Sequence, residues 1–531
     1  MDKNRKLRIF DTTLREGDQA AGFAFSLEEK LRVAHLLEEI GVDCIEVGFP
    51  SASLQNFENC RVLCSEIKTT QVAVMSRGTL SDIKHSAQVF SDSARSLLHI
   101  SLPVSDLHMS VKLGRSRNEL LSTAKEMAQF ASGFAGMVEM GAEDATRADP
   151  DYLAEYCEVV TQNGVHIVNI ADTVGHATPS EISKLVQSLM HSVTAFRNGE
   201  ALLSVHCHND LGLANANTLA AIESHCGQIE VTCLGIGDRA GNAPLEELAF
   251  ILHSRPDLYP VSSGLVLSPL GKMAREFASI IGTALSPFKP VTGINVRAHA
   301  AGIHQQGVLR DQATYELSPL ALGHFFPQRM VISKLSGKMG LQAVIRQYAN
   351  ILVDGETLDR LMDLVKTHTE DTPVLGVTEL LCLLASQKIL SVPLVQCDSF
   401  SIFREESLTH PRSTLRALFL RSDGNTSESK QEVQYTYEGL SWELPLLALV
   451  NEHFSVSICL TSVAVSEFCG GDASHSKIRV YVEASVDAIP LPRVYAMERV
   501  GYSRDRLFLE LLLDIVNAEK ALVTQRVSRE E

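Results

Sequence analysis

Two histidines one residue apart, His206 and His208 in LLSVHCHND at 202–210, have the spacing in this chain that speaks most directly of chemistry. On a β-strand the side chains alternate with a period of two, so a His-x-His pair puts both imidazoles on one face, within reach of one metal ion. Asp11 ends the strand-like run LRIFDTT, with Arg15 just after it, and Asn242 lies in the segment GDRAGN. A carboxylate, two imidazoles and an amide oxygen form an N/O ligand set that leaves positions open for substrate oxygens. Each residue also has an ordinary reading. A lone Asp at a strand end is most often a turn former or cap, a His-x-His pair is more often a surface or core feature than a metal site, and an isolated Arg usually lies at the surface or in a salt bridge. Only a fold that brings these positions together favours the metal.

The pattern of the first 285 residues predicts such a fold. Short apolar, β-branched runs alternate with helix-length amphipathic stretches, and eight strand candidates can be counted: LRIFDTT (7–13), CIEVGFP (44–50), QVAVMSR (71–77), LLHISLP (97–103), GMVEMG (136–141), HIVNIAD (166–172), LLSVHCHND (202–210) and IEVTCLGIG (229–237). Eight βα units close into a (β/α)8 TIM barrel, an α/β fold whose chemistry sits at the C-terminal ends of the strands. Asp11, His206, His208 and Asn242 all fall there, and closure makes strand one a neighbour of strand eight, with strand seven alongside. A doubly wound open sheet would show the same alternation, but no GxGxxG or Walker loop follows the first strand. Between the strands, SLEEKLRVAHLLEEIG has the marks of a capped helix, with Ser26 at its N-cap, Glu29 completing a capping box and Gly41 just past its end.

Beyond the barrel, residues 286–393 read as a helical subdomain and 394–531 as a C-terminal α+β domain. In the latter, strand-like SFSIF, LRALFL and EVQYTY precede an apolar helix (LPLLALVNEHF), then VSICLTSVAVSE and KIRVYVEASV, and a final helix near 503–525. The chain of 531 residues is long enough for this division. A formal charge of −17 argues against nucleic acid or an anionic membrane as partner, since both would repel it. No apolar leader opens the sequence and no run of about 18 apolar residues occurs in it, so a cytoplasmic location is expected. The 11 cysteines, an odd number without CxxC spacing, fit reduced thiols.

Seven segments, in order, carry a resemblance: DTTLREGDQ (11–19), IEVGFP (45–50), VSDLHMSVKLGRS (104–116), EDATR (143–147), ADTVGHATP (171–179), HCHNDLGLANANTLAAI (206–222) and GIGDRAGNAPLEE (235–247). By these the chain resembles the 2-isopropylmalate, homocitrate and citramalate synthases, barrel enzymes that condense acetyl-CoA with a 2-oxo acid and hydrolyse the thioester. The resemblance implies that Asp11, His206, His208 and Asn242 hold Mn²⁺, Mg²⁺ or Zn²⁺, and that Arg15, His99 and Thr173 contact the 2-oxo acid. The metal would polarise the keto carbonyl, and Arg15 would offer paired donors to the substrate anion. AHAAGIHQQG (298–307) and TYELSP (314–319) are similar to segments that reach over the barrel mouth, often from the partner of a homodimer. They imply His304 as the base toward the acetyl-CoA methyl group, with Tyr315 and Glu143 the other candidates for base and enolate stabilisation.

The chain departs from the family pattern at Ser333 and Leu335, where Gly and His are usual, and at Asp238, where Glu is usual. Its last 130 residues faintly resemble the leucine-binding regulatory domain of 2-isopropylmalate synthases, and a dimerisation domain fits them as well. Three acceptors stay open: 2-oxoisovalerate, favoured by the three-part architecture; 2-oxoglutarate, which would need a further cation in the pocket; and an aromatic, thioether or phosphonate 2-oxo acid. One methylene in such a pocket changes binding by only about 1–3 kcal/mol. Metal-dependent acyl-CoA lyases share the barrel, but the glycine-rich loop with a cysteine that they carry has no counterpart cysteine in GIGDRAGNAP.

Overall fold

The structure is a computed structural model that describes residues 5–283, 285–317, 328–370 and 374–390, and beyond them six strands and the helical residues 450, 509 and 511–518. It splits into two compact units, Met1–Gly282 with Pro290–Thr292, and Thr283–Lys289 with Gly293–Glu531.

The first unit is the expected barrel. Its strands are β1 (Arg8–Asp11), β2 (Cys44–Glu46), β3 (Gln71–Arg77), β4 (Ser96–Pro103), β5 (Met137–Glu143), β6 (Ile167–Asp172), β7 (Leu202–Cys207) and β8 (Gln228–Val231), all in parallel register and closed. Closure is made by β1 against β8, with Phe10 opposite Glu230 and Asp11 opposite Val231. At the lower end of the barrel Phe10, Cys44, Ala73, Leu97 and Ile167 pack into an apolar plug. Above it the buried residues turn polar: Glu46, His99, Glu139, Asn169, Ser204, His206, Gln228 and Glu230. Gln228 donates to both oxygens of Glu139 (3.0 and 3.1 Å) and to Ser204 (3.1 Å), so the polar layer begins with a hydrogen-bonded floor.

Two helices follow β1. Thr13–Gln19 (α1) turns directly off the strand, and Leu27–Ile40 (α2) packs outside the barrel. The capping box that Ser26 and Glu29 predict is formed, and Gly41 ends α2 at φ +83°, a conformation that costs a residue with a Cβ far more. The buried face of α2 carries Val33, Ala34, Leu36, Leu37 and Ile40, at the three-and-four spacing of an amphipathic helix, together with Lys30.

The second unit contains helices Gly302–Arg310 (α3), Lys338–Ala349 (α4), Gly355–His368 (α5) and Val377–Ser386 (α6), of which α4, α5 and α6 build a core that includes Leu341, Ile345, Leu361, Val365, Leu381 and Leu384. α3 begins where its backbone meets that of Gly337; a Cβ on Gly302 would lie 2.9 Å from the Gly337 nitrogen. Leu335, the residue in place of the usual His, is exposed, and its carbonyl accepts from Gly302 at 2.9 Å.

Further on stand two antiparallel three-stranded sheets: Leu394–Glu405 (β9), Arg412–Ser422 (β10) and Glu428–Glu438 (β11), then Ile458–Cys469 (β12), Ser476–Val486 (β13) and Arg493–Gly501 (β14). The strand β14 was not expected. Charged residues break up its apolar pattern, and its pairing with β13 over nine residues supplies what the local pattern lacks. Of the final helix expected near 503–525, residues 511–518 are helical and the rest lie outside the described residues, as does LPLLALVNEHF apart from Val450. Among the described residues no helix is long and apolar enough to cross a membrane, and the eight cysteines seen are free thiols.

Leu37 is fully buried on the α2 face. Leu37→Ala is expected to lower the unfolding free energy by about 2–5 kcal/mol, read from urea denaturation of the whole chain.

Candidate active site

A cavity of about 290 Å³ opens at the C-terminal ends of the strands, lined by Arg15, Glu16, His99, Glu143, Thr173, His206 and His208 among others. Barrel closure thus gathers six of the residues singled out from the sequence into one space. Asn242 joins them through the loop after β8: its backbone pairs with that of His208 in an isolated antiparallel bridge, and its side chain lies against Glu16. Arg239 ties the same loop down, donating to both oxygens of Asp210 (2.8 and 2.9 Å) and to the carbonyl of Thr173 (2.7 Å).

The carboxylate that stands with the two imidazoles is Glu16, not Asp11. Among the described residues Glu16, His206 and His208 are the group of buried side chains whose ligand atoms all lie within 4.8 Å of one another. The reason is local. The chain leaves β1 into the short, two-turn α1, whose fourth residue, Glu16, brings its carboxylate to the imidazoles. Asp11, one step before the turn, instead accepts from the Thr13 N–H at 2.9 Å and sits beside Glu246, where burial pushes its carboxyl up to about 7. This is a turn-forming role, an ordinary reading of a strand-end Asp.

The cluster has the features of a ligand set. Oε2 of Glu16, Nδ1 of His208 and Oδ1 of Asn242 are buried polar atoms without a hydrogen-bond partner, an arrangement that costs free energy unless a further group satisfies it. Burial would raise the Glu16 carboxyl, but Arg15 and the histidines outweigh it and hold it down to about 2. Burial depresses His206 and His208 to about 4, so both rings are neutral and can offer lone pairs. Glu230 accepts from Nδ1 of His206 at 2.7 Å and from Asn169 at 2.5 Å, which turns Nε2 of His206 toward the cluster in the manner of a carboxylate supporting a metal-bound histidine. Gly237 has to be glycine here, because an added Cβ would lie 2.2 Å from Nδ2 of Asn242 and 3.1 Å from Oε2 of Glu16.

Next to the cluster, Glu46 organises two cations. It lies fully buried at the end of β2, accepting from Nε of Arg15 at 2.7 Å and from Nδ1 of His99 at 2.8 Å. Arg15 also pairs with Glu16 and Gln19, which leaves Nη2 outside these bonds. Burial would depress His99, but the charge of Glu46 and its hydrogen bond raise it to about 9, so it is an imidazolium at neutral pH. Arg15 and His99 therefore face the cavity as a fixed cationic pair. Thr173 accepts the Asp144 N–H at 2.8 Å, which leaves its own hydroxyl proton to donate.

Glu143, by contrast, is neutralised at the rim: Lys112 donates to both of its oxygens (2.8 and 2.9 Å) and His108 to one (3.0 Å). His304 and Tyr315 belong to the second unit, where their rings lie against each other with centroids 4.3 Å apart, both exposed. Gly307 makes room for the Tyr315 ring, since a Cβ there would fall 2.5 Å from it. Glu316, next in sequence and buried, is held by Arg297 (2.9 and 3.0 Å), His299 (3.1 Å) and Gln328 (3.0 Å).

Sequence reasoning missed Glu16, Glu46 and Glu230. The signal was present for the last two: each is a lone carboxylate inside an apolar strand, CIEV and QIEV, which is unusual for a fully buried segment. Glu16 was masked by its neighbour Arg15, because strand-end logic stops at Asp11.

Residues 6–276 match the HMGL-like family, and residues 291–373 match the family described as homocitrate synthase post-HMGL domain-like. The 2-isopropylmalate synthase of Sediminispirochaeta smaragdinae is 41% identical over 348 residues, 65% of this chain and 68% of that protein. That of Pyrococcus furiosus is 38% identical over 377 residues, covering 71% and 74%. The 2-isopropylmalate synthase 1 of Caldanaerobacter subterraneus is 38% identical over 353 residues, covering 66% and 88%.

Titration with Mn²⁺, followed by the electron paramagnetic resonance of the free ion, separates the two carboxylates. Glu16→Gln is expected to weaken binding at least about tenfold, and Asp11→Asn to leave it near that of the unaltered protein. The reverse outcome would return the ligand role to Asp11.

Proposed function

The chain belongs to the HMGL-like family, and from that premise we propose that it condenses acetyl-CoA with a 2-oxo acid and hydrolyses the thioester, releasing CoA and a 2-substituted malate. The proposed acceptor is 2-oxoisovalerate, which makes the activity that of a 2-isopropylmalate synthase. The observation that carries this reading is the buried Glu16, His206 and His208 cluster, with its unpartnered oxygens and nitrogen, in one cavity with the cations Arg15 and His99. Similarity to three proteins of that name over 65–71% of the chain supports the acceptor.

Glu16, His206, His208 and Asn242 would hold a divalent cation, Mn²⁺, Mg²⁺ or Zn²⁺, whose chemistry is Lewis-acid polarisation of a carbonyl. The rest is done by the chain's own groups. Arg15 and His99 bind and orient the carboxylate of the 2-oxo acid by charge-assisted hydrogen bonds, and Glu46 fixes both donors so that little reorganisation is needed when substrate arrives. Thr173 donates its hydroxyl proton to a substrate oxygen. His304 takes a proton from the acetyl-CoA methyl group, with the Tyr315 hydroxyl as donor to the developing enolate oxygen. Support for that assignment is the resemblance of their segments and the packed, exposed pair of rings. Glu143, with Lys112 and His108 on it, fits a role in shaping the rim better than that of a base. The reading further includes a homodimer in the cytoplasm.

The test is release of CoA from acetyl-CoA, followed with a thiol reagent in the presence of Mn²⁺ or Mg²⁺, with 2-oxoisovalerate, 2-oxoglutarate, pyruvate and phenylpyruvate offered one at a time. Fastest release with 2-oxoisovalerate is expected; release with another acceptor alone would reassign the substrate, and none with any would overturn the reading. A second expectation concerns pH. Because His99 is raised to about 9, kcat/KM for the 2-oxo acid should hold through neutral pH and fall as the pH rises through that value. Glu46→Gln removes the charge that raises His99 and leaves the depressing effect of burial, so the falling limb should move to lower pH.

A further inference from the structure

Lys30 breaks the pattern of the helix it belongs to. It lies on the buried face of α2, shares it with Val33, Ala34 and Leu37, and is only 1% exposed. An ammonium seldom occupies such a place, because taking it out of water costs several kcal/mol that only a well-placed partner offsets. A leucine or methionine would pack there at no such cost. What a single buried charge adds is direction, since it accepts one arrangement of its partner and penalises the others.

That partner is Asp18, in the last turn of α1, and the ion pair ties α2 to the helix that carries Arg15, Glu16 and Gln19. Asp18 is held from a second side by the Phe25 N–H, at 3.4 Å. The Phe25 ring comes against Gly17, where an added Cβ would lie 2.3 Å from it. The ammonium also lies beneath the end of β2: a Cβ on Gly48, two residues beyond Glu46, would come within 3.9 Å of Nζ. Lys30 thus stands between the two pieces of chain whose carboxylates, Glu16 and Glu46, both grip Arg15. α1 has only seven residues, too short to hold its own orientation, so its placement has to come from such contacts.

We propose that Lys30 is a positioning residue for the metal-binding turn: through Asp18 it holds α1 where Glu16 meets His206 and His208. The inference rests on the reading of those three side chains as metal ligands. It places a determinant of metal affinity on the outer side of α1, away from every atom that would touch metal or substrate.

Mn²⁺ affinity of the whole chain tests it, read from the resonance of the free ion alongside the melting temperature of the metal-free protein. Lys30→Met is expected to weaken Mn²⁺ binding about ten- to a hundredfold, the range found when groups that orient metal ligands are removed. The pair Lys30→Met with Asp18→Asn leaves no unpaired charge in the interior, so it should recover most of the melting temperature and keep the loss of affinity. Should Lys30→Met fail to fold, Asp18→Glu retains both charges and lengthens one arm; it should weaken Mn²⁺ binding severalfold at an unchanged melting temperature. Wild-type affinity in Lys30→Met or Asp18→Glu, or its full return in the double variant, would overturn the proposal. His206→Ala separates the two readings. If the unaltered protein binds no Mn²⁺, the metal reading fails and the role of Lys30 falls with it; if His206→Ala loses the ion while Lys30→Met and Asp18→Glu keep it, only this inference fails.

Discussion

Carboxylates buried in the upper half of the barrel set the terms for the rest of the site. Glu16, Glu46, Glu139 and Glu230 are each at most 2% exposed and face one another around a narrow axis. Like charges so placed destabilise the fold unless each finds compensation or takes up a proton, and burial together with Glu230 raises Glu139 to about 8, so that it is largely protonated at neutral pH. Arg15 and His99 answer Glu46, Gln228 answers Glu139, and His206 and Asn169 answer Glu230. Glu16 receives only part of its compensation from Arg15 and keeps an oxygen without a partner. A divalent cation is the group that would complete the balance, so the chemistry of the site and the stability of the barrel are one electrostatic problem.

The same balance explains why the residues around the cavity are held so firmly. A cation pair that is to receive a substrate anion has to resist collapsing onto the nearest carboxylate. Here Glu46 takes Nε of Arg15 and Nδ1 of His99, while Glu16 and Gln19 take Nη1 of Arg15, which leaves Nη2 of Arg15 and Nε2 of His99 outside these bonds. Preorganisation of this kind reduces the rearrangement that would otherwise accompany binding and reaction. Outward from it, the contacts that fix α1, among them Lys30 on Asp18 and Phe25 on Gly17, act on where Glu16 and Arg15 stand rather than on the substrate itself.

The loop of residues 235–242 shows how backbone and ligand set depend on each other. Asn242 reaches the cluster because its backbone pairs with His208 and because Gly237 has no side chain to block it. Arg239 then closes the loop against Asp210 and Thr173, joining the ends of β6, β7 and β8 around the cavity. Apart from Gly237 beside Asn242, these contacts join residues remote in sequence.

Much was legible in the sequence alone. Eight alternating segments predict a closed barrel because apolar period and turn residues are local properties, and the His-x-His spacing predicts two imidazoles on one face because strand geometry allows nothing else. The cap of α2 is likewise written in Ser26, Glu29 and Gly41. The choice between Asp11 and Glu16 was not legible, because it depends on where a short helix points after β1, and that direction comes from Phe25, Asp18 and Lys30. The roles of Glu46 and Glu230 were equally hidden, since a carboxylate inside a strand acquires meaning only from the cation that another strand brings to it. Sequence by itself determined which elements form and which residue types stand at their ends; tertiary structure decided which charges face each other, because electrostatic partners are chosen by distance in space and not along the chain.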